Sequence, residues 1–111
     1  MPDNSPDRRP ASRRRVLLPG LIVYGNGVFT CDCTFRNASG GGARITVAQL
    51  PQLPERFYLI AIREGVAYDC RLVWNKGLDI GVKFESRLEL SSNNDLTLAR
   101  LKKLWLAKAP R

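Results

Sequence analysis

An arginine-rich segment near the start of the chain is the first group of residues that could do chemistry. Five arginines fall within residues 8–15, RRPASRRR. A guanidinium group presents paired N–H donors that match the O6 and N7 acceptors of guanine, and its positive charge pairs with phosphates. The segment is therefore suited to hold the base and the phosphate of a guanine nucleotide. The same composition is also typical of a solvated basic tail that attracts anions in a salt-dependent way.

A second cluster of polar and flexible residues spans residues 37–42, Asn-Ala-Ser-Gly-Gly-Gly. Asn37 and Ser39 carry donors and acceptors on short side chains, and the glycines allow a ligand to approach backbone N–H groups. A plain turn between two strands has the same composition. Taken with the arginine segment, the cluster indicates a candidate site for a guanine nucleotide in which Asn37 and Ser39 contact the polar edges of the base.

The distribution of charge separates the two ends of the chain from its body. The 111 residues include 18 Lys and Arg against 10 Asp and Glu, a formal net charge of +8, and no histidine. Residues 1–15 and 100–111 are both basic, whereas the body between them is balanced. Without histidine the chain lacks Ser-His-Asp and Cys-His nucleophile systems and histidine-containing zinc sites. We therefore expect no catalytic residues, no cofactor, no metal site and no enzyme activity.

The three cysteines and the apolar segments indicate the compartment. Cys31, Cys33 and Cys70 are odd in number and are not spaced as CxxC, so we interpret them as reduced core thiols of a cytoplasmic protein. Residues 12–18, SRRRVLL, resemble a twin-arginine export signal, but Pro19-Gly20 interrupts the apolar run and no cleavage site follows. No stretch reaches the length of a membrane span, and we expect none.

The elements that position these residues are short strands. Residues 1–15 predict a flexible basic arm, because they contain three prolines and few apolar residues. Residues 16–111 predict one small domain, since about 110 residues support a single core. Within it, six short strands separated by turn signals predict an all-β fold, a six-stranded antiparallel β-barrel.

Strand periodicity also predicts which side chains share a face. In the second strand, Phe29, Cys31, Cys33 and Phe35 alternate with polar residues and are expected to face the core. In the fifth strand, residues 68, 70, 72 and 74 (Tyr, Cys, Leu and Trp) are expected to share one face.

A C-terminal helix is predicted over about residues 94–107. Asn94 or Asp95 is a suitable N-cap, and the apolar residues that follow lie at helical spacing, with lysines and arginines mainly on the other faces. The apolar stripe fits a helix that packs on the barrel. A basic helix on a membrane surface and a partner-binding helix are the alternatives.

In this order, the motifs Arg9-x-x-x-Arg13 and Asn37-x-Ser39-x-x-Gly42 resemble the signature of the PilZ domain, RxxxR followed by [D/N]xSxxG. Arg8 before Arg9 matches the common RRxxxR form. The resemblance extends over nearly the whole chain, from the arm through the strands to the C-terminal helix.

The resemblance implies a receptor for the bacterial second messenger cyclic di-GMP, in which the arm wraps the ligand and the second motif contacts guanine from the barrel. The ligand-binding residues that it implies are Arg8, Arg9, Arg13, Arg14, Asn37, Ser39, Gly42 and Trp74. Arg8 and Arg14 are auxiliary, and Trp74 is equally compatible with packing at the barrel rim. Asn37 replaces the commoner aspartate and therefore has no charge to pair with arginines or guanine N–H groups.

Three functions follow from these observations. The leading one is a stand-alone adaptor whose arm orders over cyclic di-GMP and which then signals to a partner protein. A small basic β-barrel that binds RNA or single-stranded DNA is the second, although the neutral body and the absence of a repeated aromatic and basic surface disfavour nucleic acid. A PilZ-like interaction module without a ligand is the third.

Overall fold

A computed structural model of the chain describes residues 14–91 and 98–109. The predicted arm residues Arg8, Arg9 and Arg13 and the predicted helix caps Asn94 and Asp95 lie outside the described residues. For Arg14, Arg15 and Val16 only the backbone is described.

Six antiparallel strands close into a barrel, as the sequence predicted, in the order β1-β2-β3-β6-β5-β4. The strands are β1 (Arg14–Tyr24), β2 (Phe29–Ala38), β3 (Gly42–Val47), β4 (Arg56–Ala61), β5 (Val66–Lys76) and β6 (Asp79–Glu89). β1 begins two residues earlier than the predicted start at Val16. The one described helix, α1, spans Ala99–Lys108, within one residue of its predicted end.

The interior of the barrel is filled by the inward side chains of all six strands. Its buried residues are Ile22, Cys33, Phe35, Ile45, Val47, Phe57, Leu59, Ala61, Cys70, Ile80 and Val82. The predicted inward face of β2 is confirmed for Cys33 and Phe35 and only in part for Cys31, which is half-buried. Phe29 was expected in the core but is 54% exposed, because it lies at the turn of the β1–β2 hairpin, where it pairs with Tyr24 and stacks on it.

Helix α1 packs on the outside of the barrel rather than on its open end. A second apolar cluster joins Leu98 and Leu101 to the outer faces of β1, β4 and β5. The indole N–H of Trp105 donates a hydrogen bond of 2.7 Å to the carbonyl oxygen of Ile62. The apolar stripe of the helix therefore packs on the barrel, as the sequence predicted. No helix among the described residues has the length and apolarity needed to cross a membrane.

The cysteine thiols lead to a testable prediction about reactivity. All three are free, and burial raises the pKa of Cys33 and Cys70 far above that of an ordinary thiol, because desolvation disfavours the thiolate. Desolvation, followed by the charge of Asp32, also raises the pKa of Cys31, less strongly. We expect a chromogenic disulfide reagent at about pH 8 to label at most Cys31 in the folded protein, and all three thiols after denaturation. Rapid labelling of three thiols in the folded protein, or of any in Cys31→Ser, would contradict this burial.

Candidate functional site

The turn between β2 and β3 is held in a defined shape by backbone hydrogen bonds. The amide of Ser39 donates to the carbonyl oxygen of Gly42 over 2.9 Å, which closes a tight hairpin with Gly40 and Gly41 at its tip. The amide of Phe84 in β6 donates to the carbonyl oxygen of Gly41 over 2.8 Å. The turn is thereby tied to a neighbouring strand, and the exposed Ser39 side chain is presented on a fixed backbone.

Gly42 is required by the close approach of β6. A Cβ atom at this position would overlap the carbonyl oxygen of Val82, whereas at Gly40 and Gly41 it would meet nothing within 4 Å. A backbone atom cannot move aside as a flexible side chain can. The structure therefore gives the last glycine of the motif a packing role, alongside the ligand-binding role implied by the resemblance.

A β-bulge in β2 decides the orientation of Asn37. Phe35 pairs with Ile45 and both are buried in the barrel, but the register shifts by one residue before Asn37, which pairs with Arg44. Arg36 is the extra residue. Since a bulge changes the side-chain alternation by one, Asn37 leaves the inward face that Phe35 occupies and lies beside Arg44 on the outer face.

A second bulge, in β5, decides the orientation of Trp74. Leu72 pairs with Val82 and packs against the barrel core, while Trp74 pairs with Gly81, so Val73 is the extra residue. The indole lies over Gly81, where a Cβ atom would overlap it, and 42% of the Trp74 residue is exposed. The prediction that Trp74 shares a face with Cys70 and Leu72 is therefore wrong, because the bulge turns it outward.

The two bulges bring the outer-face residues into one row across four strands. Strand register aligns Trp74 in β5 with Gly81 in β6, Gly81 with Arg44 in β3, and Arg44 with Asn37 in β2. Beside this row is a groove of about 290 Å³, lined by Ser39, Gly41, Gly42, Ala43, Arg44, Val73, Trp74, Gly81, Val82 and Lys83. The structure thus brings Ser39, Gly42 and Trp74 together around one groove, with Asn37 at the end of the row.

Three residues of this surface were missed by the sequence reasoning: Arg44, Gly81 and Lys83. Period-2 alternation places Arg44 outward between Ala43 and Ile45, so the signal was present for that residue. Its proximity to Trp74 depends on the pairing of β3 with β6, which strand periodicity alone does not reveal.

The pairing of β1 places the start of the described chain beside this surface. Arg14 pairs with Ala38, and Arg15 pairs with Asn37. Arg14, the first described residue, therefore lies next to the residue before Ser39. Arg13 is directly attached to Arg14, and Arg9 is joined to it by a span that covers at most about 18 Å when fully extended.

Ion pairs occupy the neighbouring outer face of β4, β5 and β6. Arg56 pairs with Asp69 at 3.0 Å, and Arg71 pairs with Glu85 at 2.9 Å. The hydrogen bond from Arg71 holds the pKa of the Glu85 carboxyl below its usual value. The arginines of this face are thus matched with acids. Within the described segments, no group of three or more His, Cys, Asp or Glu is placed to hold a metal ion.

Comparison with known proteins agrees with the motif resemblance. A family model described as the PilZ domain matches residues 7–101, which include the arginine motif, all six strands and the start of α1. A comparison with curated proteins finds no match to this chain.

Proposed function

Since the chain belongs to the PilZ domain family, whose members generally bind cyclic di-GMP, we propose that it is a receptor for this second messenger. In this proposal the arginine arm closes over ligand held on the groove of Ser39, Gly42 and Trp74. The protein acts in the cytoplasm as an adaptor without enzyme activity, and a partner protein reads the ligand-bound surface.

The observation that carries the proposal is the register of β1 on β2. Because Arg14 pairs with Ala38, the RxxxR motif is connected to the barrel immediately beside the NxSxxG turn. Two motifs that are about two dozen residues apart in sequence are thereby adjacent at their point of attachment. Arginine forks from the arm can approach the same guanine that Asn37 and Ser39 contact from the barrel.

The groove supplies the remaining interactions that a guanine nucleotide needs. The exposed indole of Trp74 offers a flat face on which a base can stack, and such stacking contributes about 1–3 kcal/mol per base. The Ser39 hydroxyl can donate and accept hydrogen bonds at the polar edge of the base. Lys83, exposed at the edge of the groove, adds a positive charge suited to a phosphate.

The response to the ligand follows from the same arrangement. Cyclic di-GMP brings phosphates and guanine acceptors that pair with the arm's positive charges and hold the arm against the barrel. The bound arm and ligand together form a surface that the unliganded protein lacks. A partner that contacts this surface would respond to the ligand concentration.

The described surface disfavours the nucleic-acid alternative. Arg56, Arg71 and Arg87 on the outer face of the sheet each pair with a carboxylate, so they are not available to phosphates without breaking an ion pair. Such a ladder of matched charges is unlike the positive groove that tracks a nucleic-acid backbone.

Isothermal titration of the full chain with cyclic di-GMP tests the proposal. We expect saturable binding near physiological salt. An absence of binding at tens of micromolar ligand would overturn it, and equally tight binding of a mixed oligonucleotide with a steep salt dependence would favour nucleic acid instead.

Tryptophan fluorescence tests the placement of the base. We expect the ligand to quench tryptophan emission in the full chain and in Trp105→Phe, but not in Trp74→Phe. The Trp74 indole lies at the groove, whereas Trp105 belongs to α1 and packs against the barrel. Trp74→Ala is expected to weaken binding about 5- to 150-fold, the equivalent of one lost stacking interaction. Leu106→Ala, at an exposed residue of α1 outside the groove, is the control. Unchanged affinity in Trp74→Ala would show that Trp74 only packs at the rim.

A further inference from the structure

We infer that Arg44 selects guanine over adenine at this site, by presenting hydrogen-bond donors to the base that Asn37 contacts. The inference rests on the proposed function, and it concerns a residue outside both sequence motifs.

The position of Arg44 is defined by two strand pairings. It lies opposite Asn37 on one side and opposite Gly81 on the other, on the outer face of the barrel. Side chains at directly opposed positions of antiparallel strands lie about 4.5–5.5 Å apart at Cβ. The Trp74 indole lies over Gly81, which has no side chain, so Arg44 stands in the row between Asn37 and the indole. A base that stacks on Trp74 would present its edge toward Arg44 and Asn37.

Arg44 and Asn37 each have one buried polar atom without a hydrogen-bond partner. Among the described residues, the buried side-chain nitrogen and oxygen atoms without a hydrogen-bond partner are Asn37 Oδ1 and Arg44 Nε. A buried polar group left without a partner costs about 1–3 kcal/mol. The two atoms are an acceptor and a donor on neighbouring residues. Once these side chains adjust, guanine offers the complementary pair, with O6 as the acceptor for Arg44 and the adjacent N1–H as the donor for Asn37 Oδ1, whereas adenine reverses this pair at N6 and N1.

The rest of the Arg44 guanidinium is only loosely held. Its Nη1 lies 3.8 Å from Asp79 Oδ2, which is longer than a hydrogen bond, and 39% of the Arg44 side chain is exposed. By comparison, Arg71 lies 2.9 Å from Glu85 and 3.1 Å from Glu55. Arg44 therefore lines the groove with a positive charge, and its N–H groups can donate to a ligand without breaking a short ion pair.

The chemistry of Asn37 explains why a second group is needed for selectivity. An amide carries both a donor and an acceptor, so it can match the N6 and N7 edge of adenine as well as part of a guanine edge. The aspartate more common at this position carries acceptors only. Arginine carries donors only, so it matches O6 and N7 of guanine but opposes the N6 amino group of adenine. The arm arginines offer the same donors, but Arg44 is held by the barrel beside Asn37.

The test compares cyclic di-GMP with cyclic di-AMP on the full chain and on Arg44→Met, which keeps much of the side-chain length but removes the donors. We expect Arg44→Met to bind cyclic di-GMP about 5- to 150-fold more weakly, the equivalent of one lost bidentate contact, with little loss for cyclic di-AMP. Arg44→Lys, which keeps the charge without the fork, should retain more affinity but lose selectivity. Arg63→Met, at an exposed position on the β4–β5 turn, is the control for charge, and thermal melting checks that each variant is folded.

The outcomes separate the two proposals. If the full chain binds cyclic di-GMP and Arg44→Met keeps the same preference for guanine, the role of Arg44 is overturned while the proposed function stands. An equal loss of affinity for both ligands in Arg44→Met would likewise overturn the role of Arg44, since that result indicates a general electrostatic effect. If the unaltered chain binds neither ligand, both proposals fail.

Discussion

Arg9→Ala and Arg13→Ala are each expected to weaken cyclic di-GMP binding by about 10- to 150-fold or more, and the double variant is expected to abolish it. Hydrogen bonds to charged groups contribute about 1.5–3 kcal/mol each, and an arginine fork that meets a guanine edge or a phosphate makes at least one. Isothermal titration at fixed, near-physiological salt measures the loss. The double variant should also fail to show ligand-dependent quenching of Trp74, since the ligand no longer remains on the groove.

Arg63→Ala is the matched control for these variants. It removes the same charge at an exposed position on the β4–β5 turn, outside the residues that line the groove. If attraction of the anionic ligand by net charge were the only effect, all three single variants would lose affinity equally, and the loss would disappear at high salt. That pattern would show that the RxxxR motif has been assigned the wrong role. A large loss confined to Arg9 and Arg13 supports direct contacts.

Gly42→Ala is expected to destabilise the protein by about 1–3 kcal/mol, because the new methyl group overlaps the carbonyl oxygen of Val82 and forces β3 away from β6. For a domain of this size each 1 kcal/mol lowers the melting temperature by about 4–8 °C. Thermal and urea unfolding measure the change. Binding of cyclic di-GMP should fall as well, since the displaced strand carries Arg44 and adjoins Ser39.

Gly40→Ala and Gly41→Ala are matched controls in the same turn. A Cβ atom at either position meets nothing within 4 Å, so both variants should have melting temperatures close to that of the unaltered protein. Comparable destabilisation in all three would mean that the turn needs glycine for its conformation rather than for the contact with β6. A stable Gly42→Ala variant that binds normally would contradict the packing role given to this glycine.

Local sequence patterns were sufficient for most of the architecture. Apolar alternation and turn residues predicted six strands, and the helical spacing of Leu98, Leu101 and Trp105 predicted the C-terminal helix. These features depend on each segment's own residues, since a strand needs one apolar face and a helix one apolar stripe. The start of β1 was less predictable, because Arg14 and Arg15 join the strand through pairing with β2 and not through any apolar pattern of their own.

The candidate site could be predicted in part. Its motif residues Asn37, Ser39 and Gly42 are recognisable by type and spacing, but Arg44 and Lys83 reach the groove through the pairing of β3 with β6. These strands are separated in the chain by β4 and β5, so their adjacency is a property of the closed barrel. A residue that contributes through such a long-range pairing has no signal in its own segment.

The sequence by itself determined the family, the strand count and the contrast in charge between a basic N-terminal segment and a neutral body. Only the tertiary structure decided which way Asn37 and Trp74 face. Strict alternation places Asn37 with Phe35 and Trp74 with Leu72 on the core side, and one extra residue in each strand, Arg36 and Val73, turns both outward. A bulge exists only relative to a partner strand, because it is a mismatch in residue number between two paired backbones. The outer row that the ligand is proposed to contact is therefore set by strand pairing.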